Sequence, residues 1–536
     1  MKVKSMQEGI VLSIALCFMF FLFAPLELFF LNQNDFFFDI YMLLPVMFII
    51  FLVTASGCIV ILMFMNRLSR KAYIIAVGLL FAVFICSYIQ GNFLARSLPI
   101  LDGNWIEWDM YPMERVKCIV MWSVVLVIIF GGGYKKLPES TFLKGIKYVS
   151  AYMGLVLLIT LVTVGIANGH FEQRTILNTT NKDLFTMSTD KNLIILLLDA
   201  VDARTFSDVI KSDEKYVEIF EDFTAYDNTV GAYPSTRESI PYILTGVWYE
   251  NQECFDEYEK KAYAQSPLFC SLQKQGYNIG IYETDLVLKD EGKEQFENVI
   301  VCERSVTSYW DFARWQIQMV GFKYAPYDLK RFCFVNPAAF NTLKVSPNGE
   351  DAFSDNNLVF YEKTKQEKIE FAENKCFKFI HIEGGHVPFQ YDENVNIVSG
   401  GTYEDNLKAC LTITETYLEK LKSNGVYDNT AIIVMADHGY DNCIRSNPIL
   451  YIKGIDEHHD FVVSDIPVSY TDLQEIYEKL LQGAKSDELL PYQEGQKRTR
   501  RWLRDIDGGR IDEYVQTGHA SNETTLKPTG VIFEEP

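Results

Sequence analysis

Asp199 closes the apolar run NLIILLLDA at 192–200, Thr236 lies in AYPSTRESIP, His381 and His386 bracket the glycines of HIEGGHVPF, and Asp437 and His438 end TAIIVMADHG. Two carboxylates, an imidazole and a hydroxyl can hold a divalent cation with an alcohol beside it, which turns a weak hydroxyl into a nucleophile for phosphoryl transfer. Oxygen-rich ligation with one imidazole suits Mn or Zn. Asp199 follows six apolar residues, Leu193 to Leu198, where a carboxylate is costly to bury unless paired or metal-bound. Asp202 fits the N-cap of the following ARTFSDVI helix, which leaves Asp199 for the metal. Gly439 permits the sharp turn by which Asp437 and His438 would reach one ion.

Thr236 has a second reading. Ser235-Thr236 with Glu238 and Ser239 could open a helix. The two roles are compatible, because a helix N-terminus offers N–H groups to a phosphate carried on the hydroxyl, and Arg237 could help neutralise it. His386 could protonate a leaving group or hold a phosphate oxygen. His381 reads equally as a substrate contact or as a strand histidine facing the core. Gly384 and Gly385 would let substrate approach the backbone.

Elements must place these residues together. Strand-like runs at 192–200, 277–283, 376–384, 430–439 and 447–454 alternate with helical candidates at 266–275, 403–423 and 469–482. Several strands are continuously apolar, as strands covered on both faces are. The pattern predicts a three-layer α/β/α domain with a largely parallel sheet, whose ligands gather at the carboxyl ends of the strands. Asp199, Glu383, His386, Asp437 and His438 fall there. The catalytic domain is expected over 191–483, after a patternless linker at 169–190 and before a C-terminal extension at 484–536. A basic cluster in that extension (Lys497, Arg498, Arg500, Arg501, Arg504) reads as a solvated helix face rather than a lipid-phosphate site.

Apolar runs at 9–31, 40–65, 72–94, 118–133 and 148–168 predict a transmembrane domain of about five helices over 1–168. The fourth is the shortest and ends in three glycines. Lys2, Lys4, Arg67, Arg70, Lys71, Lys135, Lys136, Lys144 and Lys147 flank one set of ends, whereas Asp35, Asp39, Asp102, Glu107, Asp109 and Glu114 flank the other. This asymmetry predicts a multi-pass membrane protein, with a cytoplasmic N-terminus and the large domain outside. Net charge is +3 over the first 168 residues and −24 over the rest, which argues against nucleic acid as a partner. Seven of the 11 cysteines lie in the large domain, an odd number that cannot all pair internally.

At these motifs the chain resembles the alkaline phosphatase/sulfatase superfamily, with resemblance over about 191–483. More narrowly it looks like membrane-anchored lipid head-group transferases, namely lipoteichoic acid synthases and phosphoethanolamine transferases. The resemblance implies that Asp199, Thr236, Asp437 and His438 bind the catalytic metal and that Thr236 is the nucleophile, followed by Ser239-Ile240-Pro241 as in the transferases. It implies that His386 contacts substrate. Sulfatases carry a formylglycine precursor, Cys or Ser, nine residues before Thr-Gly, with Pro and Arg after it. Here Thr236 stands nine before Thr245, with Glu238 and Ile240 following, which disfavours formylglycine chemistry. YDNCIRSNPILYIKG lacks the further histidine that phosphoethanolamine transferases carry after their Asp-His pair, and His458 and His459 come later. The implied activity is metal-dependent transfer of a phosphoglycerol or phosphoethanolamine head group. It would pass from a membrane phospholipid donor to an envelope glycan or glycolipid through a phosphothreonine. The alternatives are a hydrolase with the same site and a non-catalytic lipid-binding membrane protein.

Overall fold

The computed structural model describes residues 6–33, 36–95, 98–99, 101, 106, 108–167, 175–284, 295–440, 444–506 and 509–534. Lys2, Lys4, Asp35, Asp102, Glu107 and Cys443 lie outside the described residues. The chain divides into two compact units, Met1–Ile176 with Cys302–Val345, and Leu177–Val301 with Ser346–Pro536.

The first unit contains five helices long and apolar enough to cross a membrane: Gln7–Leu31, Ile40–Leu68, Arg70–Leu94, Pro112–Tyr134 and Glu139–Ile166. The fourth is longer than its apolar run because it begins at Pro112, six residues earlier, and Gly131 to Gly133 stay helical inside a π-helical stretch Val127–Tyr134. Side-chain caps start two of them: Asp39 accepts from Met42 N at 3.1 Å and Ser69 from Ala72 N at 3.3 Å. The segment Cys302–Val345 joins this unit. It differs from the expectation of an unbroken domain over 191–483, because its partners lie hundreds of residues upstream and no local pattern announces them.

The second unit is built on a seven-stranded sheet. Its strands are β1 (Asn192–Leu198), β2 (Thr224–Tyr226), β3 (Tyr277–Tyr282), β4 (Lys375–Ile382), β5 (Thr430–Met435), β6 (Leu450–Lys453) and β7 (Val462–Ser464), in the order β7-β2-β6-β5-β1-β4-β3. The four strands β3, β4, β1 and β5 are parallel neighbours, and β6 runs antiparallel to β5. Every residue of β1 and β5 is buried. Leu193, Ile195 and Leu197 face one layer, with helices Thr236–Thr245, Pro267–Lys274 and Leu473–Gln482. Ile194, Leu196 and Leu198 face the other, with Ala203–Lys211 and Tyr403–Ser423. The unit is therefore a three-layer α/β/α sandwich with a mainly parallel sheet.

Two segments depart from their expected character. Leu177–Thr179 and Thr186–Ser188, inside the expected linker, are strands paired with Val299–Val301 and Glu370–Ala372. Residues beyond 484 form an antiparallel sheet, β8 (Arg500–Ile506), β9 (Arg510–Gln516) and β10 (Leu526–Glu534). Leu503 and Ile511 from this sheet join the core, and Leu503 N donates to Ala232 O at 2.9 Å. The basic cluster is neither a helix nor solvated throughout. Arg498 pairs with Asp472, and Arg501 with Glu250 and Glu513. The Arg500 guanidinium is buried among the carbonyls of Asn228, Val468 and Gly518. Cys254, Cys270, Cys302, Cys333, Cys376 and Cys410 are free thiols.

Arg500→Met should leave those carbonyls unpaired and cost about 3 kcal/mol. A lower thermal midpoint of the detergent-solubilised chain, with early proteolysis after residue 484, is the expected result; an unchanged midpoint would make the C-terminal sheet an appendage.

Candidate functional site

Asp199 is the first residue past β1, and its N donates to Ile382 O of the neighbouring strand at 3.1 Å. Asp437 and His438 follow β5 after the single residue Ala436. Since β1 and β5 are parallel neighbours, the strand ends bring residues 238 positions apart side by side. Asp437 Oδ1 accepts from Ala200 N at 3.0 Å and His438 N at 2.8 Å, which locks one oxygen onto the backbone and leaves Oδ2 buried without a hydrogen-bond partner. Ala200 reaches this position with φ +55, a left-handed conformation costly outside glycine, and its carbonyl is held by the Tyr403 hydroxyl at 2.9 Å. Asp202 caps the next helix through Thr205 N at 2.9 Å, as expected.

His438 Nδ1 lies 2.8 Å from Gly439 O. A carbonyl only accepts, so Nδ1 carries the proton and Nε2 presents its lone pair. Nε2 stands 3.7 Å from Asp199 Oδ1 and 3.4 Å from Asp437 Oδ2. Thr236 completes the group. It is the first residue of its helix, after the N-cap Ser235, and its Oγ1 is 3.4 Å from both Asp199 oxygens and 3.4 Å from His438 Nε2. Ser235 donates to Glu238 instead of capping the helix backbone.

Lone pairs from two carboxylates and an imidazole face one another here, with ligand atoms all within 4.8 Å. Such an arrangement repels itself in a buried site unless positive charge lies among the donors. Burial, and then the Asp199 charge, push the Asp437 carboxyl up. Burial works the same way on Asp199, but the His381 contact, together with the pull of the neighbouring histidines, outweighs it and holds that carboxyl below its ordinary range. The donor set fits a divalent cation, with Asp199, Asp437 and His438 as ligands and the Thr236 hydroxyl at the same point.

His381 sits on β4 beside β1, buried, its Nδ1 2.5 Å from Glu283 Oε2 and its Nε2 3.7 Å from Asp199 Oδ2. Burial opposes charge on this ring, yet Glu283 and Asp199 on its two sides raise its pKa well above the ordinary value. It is a histidine behind Asp199 rather than at the surface. His386 is exposed, with Nδ1 turned to Val387 O at 2.7 Å, yet near enough for its charge to bear on Asp199. Arg237 is exposed and lays its guanidinium over the Phe255 ring at 4.3 Å.

The sequence reading missed Glu283, although its signal matches that of Asp199: an acid directly after an apolar strand. It also missed Arg445. Burial and Arg504 disfavour this guanidinium's charge, and Asp437 favours it; its carbonyl accepts from Gly439 N at 2.9 Å. The glycines differ in use as well. A Cβ on Gly384, which has φ +54, would meet Asp199 N at 2.5 Å and Leu198 C at 2.7 Å, so the close approach is made by the end of β1 and not by substrate. Gly439 is needed for the same reason, its Cβ falling 2.2 Å from Ile444 O.

Residues 191–442 match the sulfatase family model. No curated protein matches the chain in sequence. Among solved structures, the chain is similar to an alkaline phosphatase superfamily protein from Vibrio parahaemolyticus, with 15% identity, 67% of this chain and 85% of that chain covered, and a TM-score of 0.33. The lipoteichoic acid synthase LtaP from Listeria monocytogenes shows 12% identity, 66% and 88% coverage, and a TM-score of 0.34. Ps i-CgsB bound to k-i-k-neocarrahexaose shows 14% identity, 61% and 82% coverage, and a TM-score of 0.39.

Gly384→Ala should push Asp199 off the cluster and weaken divalent-cation binding about tenfold, read by calorimetry with added divalent cations; unchanged affinity would remove Asp199 from the ligand set. Asp355 supplies a pH signature. Burial pushes its carboxyl up to about 6, against the pull of His381 and with the push of Glu383 and Glu283. The folded value lies above the ordinary one, so its contribution to stability is full below about pH 4 and is lost as pH rises through about 6. Asp355→Asn should flatten that decline in thermal midpoint, and an unaltered pH profile would contradict the assignment.

Proposed function

We propose, from the premise that the chain carries a sulfatase-family domain behind five apolar helices, that it is a membrane-anchored phosphotransferase. It moves a phosphoglycerol or phosphoethanolamine head group from a membrane phospholipid to an envelope glycan or glycolipid. The observation that carries this reading is the Thr236 hydroxyl, 3.4 Å from both Asp199 oxygens and from His438 Nε2. A threonine at this point cannot become the formylglycine of sulfatases, yet it can form a phosphate ester.

Asp199, Asp437, His438 and the Thr236 hydroxyl would hold a divalent cation, Mn or Zn. Such an ion, when bound, lowers the pKa of the hydroxyl and polarises phosphoryl oxygens. Thr236 Oγ1 forms the new bond to phosphorus, and the bond from phosphorus to the diacylglycerol oxygen breaks. The proton leaving Thr236 and the proton taken by the diacylglycerol alkoxide balance, and the exposed His386, whose charge bears on Asp199, is the proposed carrier. An acceptor hydroxyl then attacks the phosphothreonine and restores Thr236 Oγ1–H. His381 and Glu283 hold Asp199 in place. Arg445, whose charge Asp437 favours, is the proposed cation for the phosphate, since Arg237 lies over the Phe255 ring. The Lys- and Arg-rich links put the N-terminus in the cytoplasm and this domain outside.

A hydrolase reading, with water in place of the acceptor, is favoured by the match of residues 191–442 to the sulfatase model. Intact mass of the full chain in detergent, incubated with Mn or Zn and mixed bacterial phospholipids, separates the readings. A metal-dependent head-group adduct on Thr236, absent in Thr236→Ala, is expected. Turnover retained by Thr236→Ala would sink the nucleophile assignment, and rapid release of head group without any glycan would favour the hydrolase.

A further inference from the structure

The segment Cys302–Val345 belongs to the unit of the five apolar helices, and its contacts there fall at one end of four of them. At the close of the first helix, Glu27 pairs with Lys323 at 2.8 Å and accepts from the Tyr324 hydroxyl at 2.7 Å. Just before the second, the buried Asp39 pairs with Arg304 at 3.1 Å. Near the end of the third, Gly91 leaves room for the Tyr324 ring, which a Cβ would meet at 2.4 Å. At the start of the fourth, Trp108 packs on Tyr327 at 5.7 Å, and Arg115 pairs with Asp328 at 2.8 Å. All four points lie at the ends flanked by acidic links, away from Arg67, Arg70, Lys135 and Lys136.

The segment is thus held at a fixed depth, where apolar helices end. Its helix Tyr309–Tyr324 buries Phe312, Gln316, Met319, Val320 and Tyr324 against the unit. The other side is open: Trp310 is 77% exposed and Ile317 is 40% exposed, seven residues apart and so on one helical face. Beyond it, Leu329 is 52% and Phe332 69% exposed, with the Arg331 guanidinium 5.3 Å from the Phe332 ring. Aromatic and aliphatic side chains beside arginines, at the depth where spanning helices stop, form the pattern that settles in the headgroup layer of a bilayer. At the same helix ends, Phe93, two residues from the Gly91 contact, is 66% exposed and Met113 64% exposed.

We propose that this segment is a membrane-surface element, with Trp310, Ile317, Leu329 and Phe332 seated among phospholipid headgroups and upper acyl chains on the acidic-link side. Its occupant is the bilayer, not a second copy of the chain, because the exposed apolar side chains sit at the ends of helices that are themselves apolar and exposed along their length, with Phe93 and Met113 exposed at those same ends. The proposal rests on the membrane anchor and not on the chemistry assigned to Thr236.

The test uses the full chain in vesicles of phosphatidylglycerol and phosphatidylethanolamine. p-Benzoylphenylalanine replaces Trp310 or Phe332, with Tyr148 in the fifth apolar helix as the lipid-facing reference and the exposed Lys365 as the aqueous one. Irradiation followed by mass spectrometry should give phospholipid adducts at 310 and 332 about fivefold or more above those at 365. Any smaller ratio, or chain-to-chain crosslinks in place of lipid, overturns the proposal.

Discussion

The site is organised by repulsion between buried donors. Asp199, Asp437 and the Nε2 lone pair of His438 lie within 4.8 Å of one another, in surroundings that screen charge poorly. Each contact around them reads as a way of tolerating that crowding. One oxygen of Asp437 is tied to two backbone N–H groups. The proton of His438 is committed to Gly439 O, which turns its lone pair inward. Asp199 leans toward a histidine charged by Glu283. These ties fix where negative charge accumulates, and a cation at that point would satisfy all of it at once. A neutral core role would need fewer acids, and would not leave Asp437 Oδ2 without a partner.

The sheet makes this crowding possible. Parallel strands put their carboxyl ends on one edge, so β1, β5, β4 and β3 deliver Asp199, Asp437, His381 and Glu283 to neighbouring positions without long loops. The strands themselves are buried on both faces, so the ends carrying these residues rest on a rigid base. Thr236 arrives from a helix start instead, on the face shared with Ile195 and Leu197. Gly384 lets the β4 turn press against the backbone of Asp199. The position of the carboxylate is therefore set by main-chain packing more than by its own rotamer.

Where local pattern governs, the sequence could be read closely. Tyr403–Ser423 has the bounds its apolar periodicity implied, with Thr402 and Asp405 forming a capping box. Asp202 caps where its spacing suggested. The strands β1, β3, β4, β5 and β6 coincide with the apolar runs, β4 starting one residue before its run, and each stops one to four residues before the run's end. Legibility failed where pairing is distant. Thr186–Ser188 is a strand only because Glu370–Ala372 lies beside it, and nothing in its own residues says so. Arg500 looks solvent-seeking in sequence, but three carbonyls from remote segments take its donors. Adjacency to Thr236 suggests Arg237 for the phosphate, whereas a helix turns successive side chains about 100° apart, and this one finds Phe255.

The insertion Cys302–Val345 shows the same principle in the membrane unit. A buried ion pair contributes little net stability, because desolvation offsets most of its attraction, but a lone charge left by one missing partner is strongly unfavourable. The half-buried Glu27 with Lys323, and the buried Asp39 with the more open Arg304, come under the second half of that rule, and each joins the insertion to a different apolar helix. Sliding the segment by one helical turn along those helices would strand a carboxylate in apolar surroundings at both places. Aromatic packing of Phe38 on Phe312 and of Phe36 on Phe340 supplies attraction without register. The charged pairs supply register, and together they hold Trp310 and Phe332 at one depth rather than leaving the segment free to move along the helices.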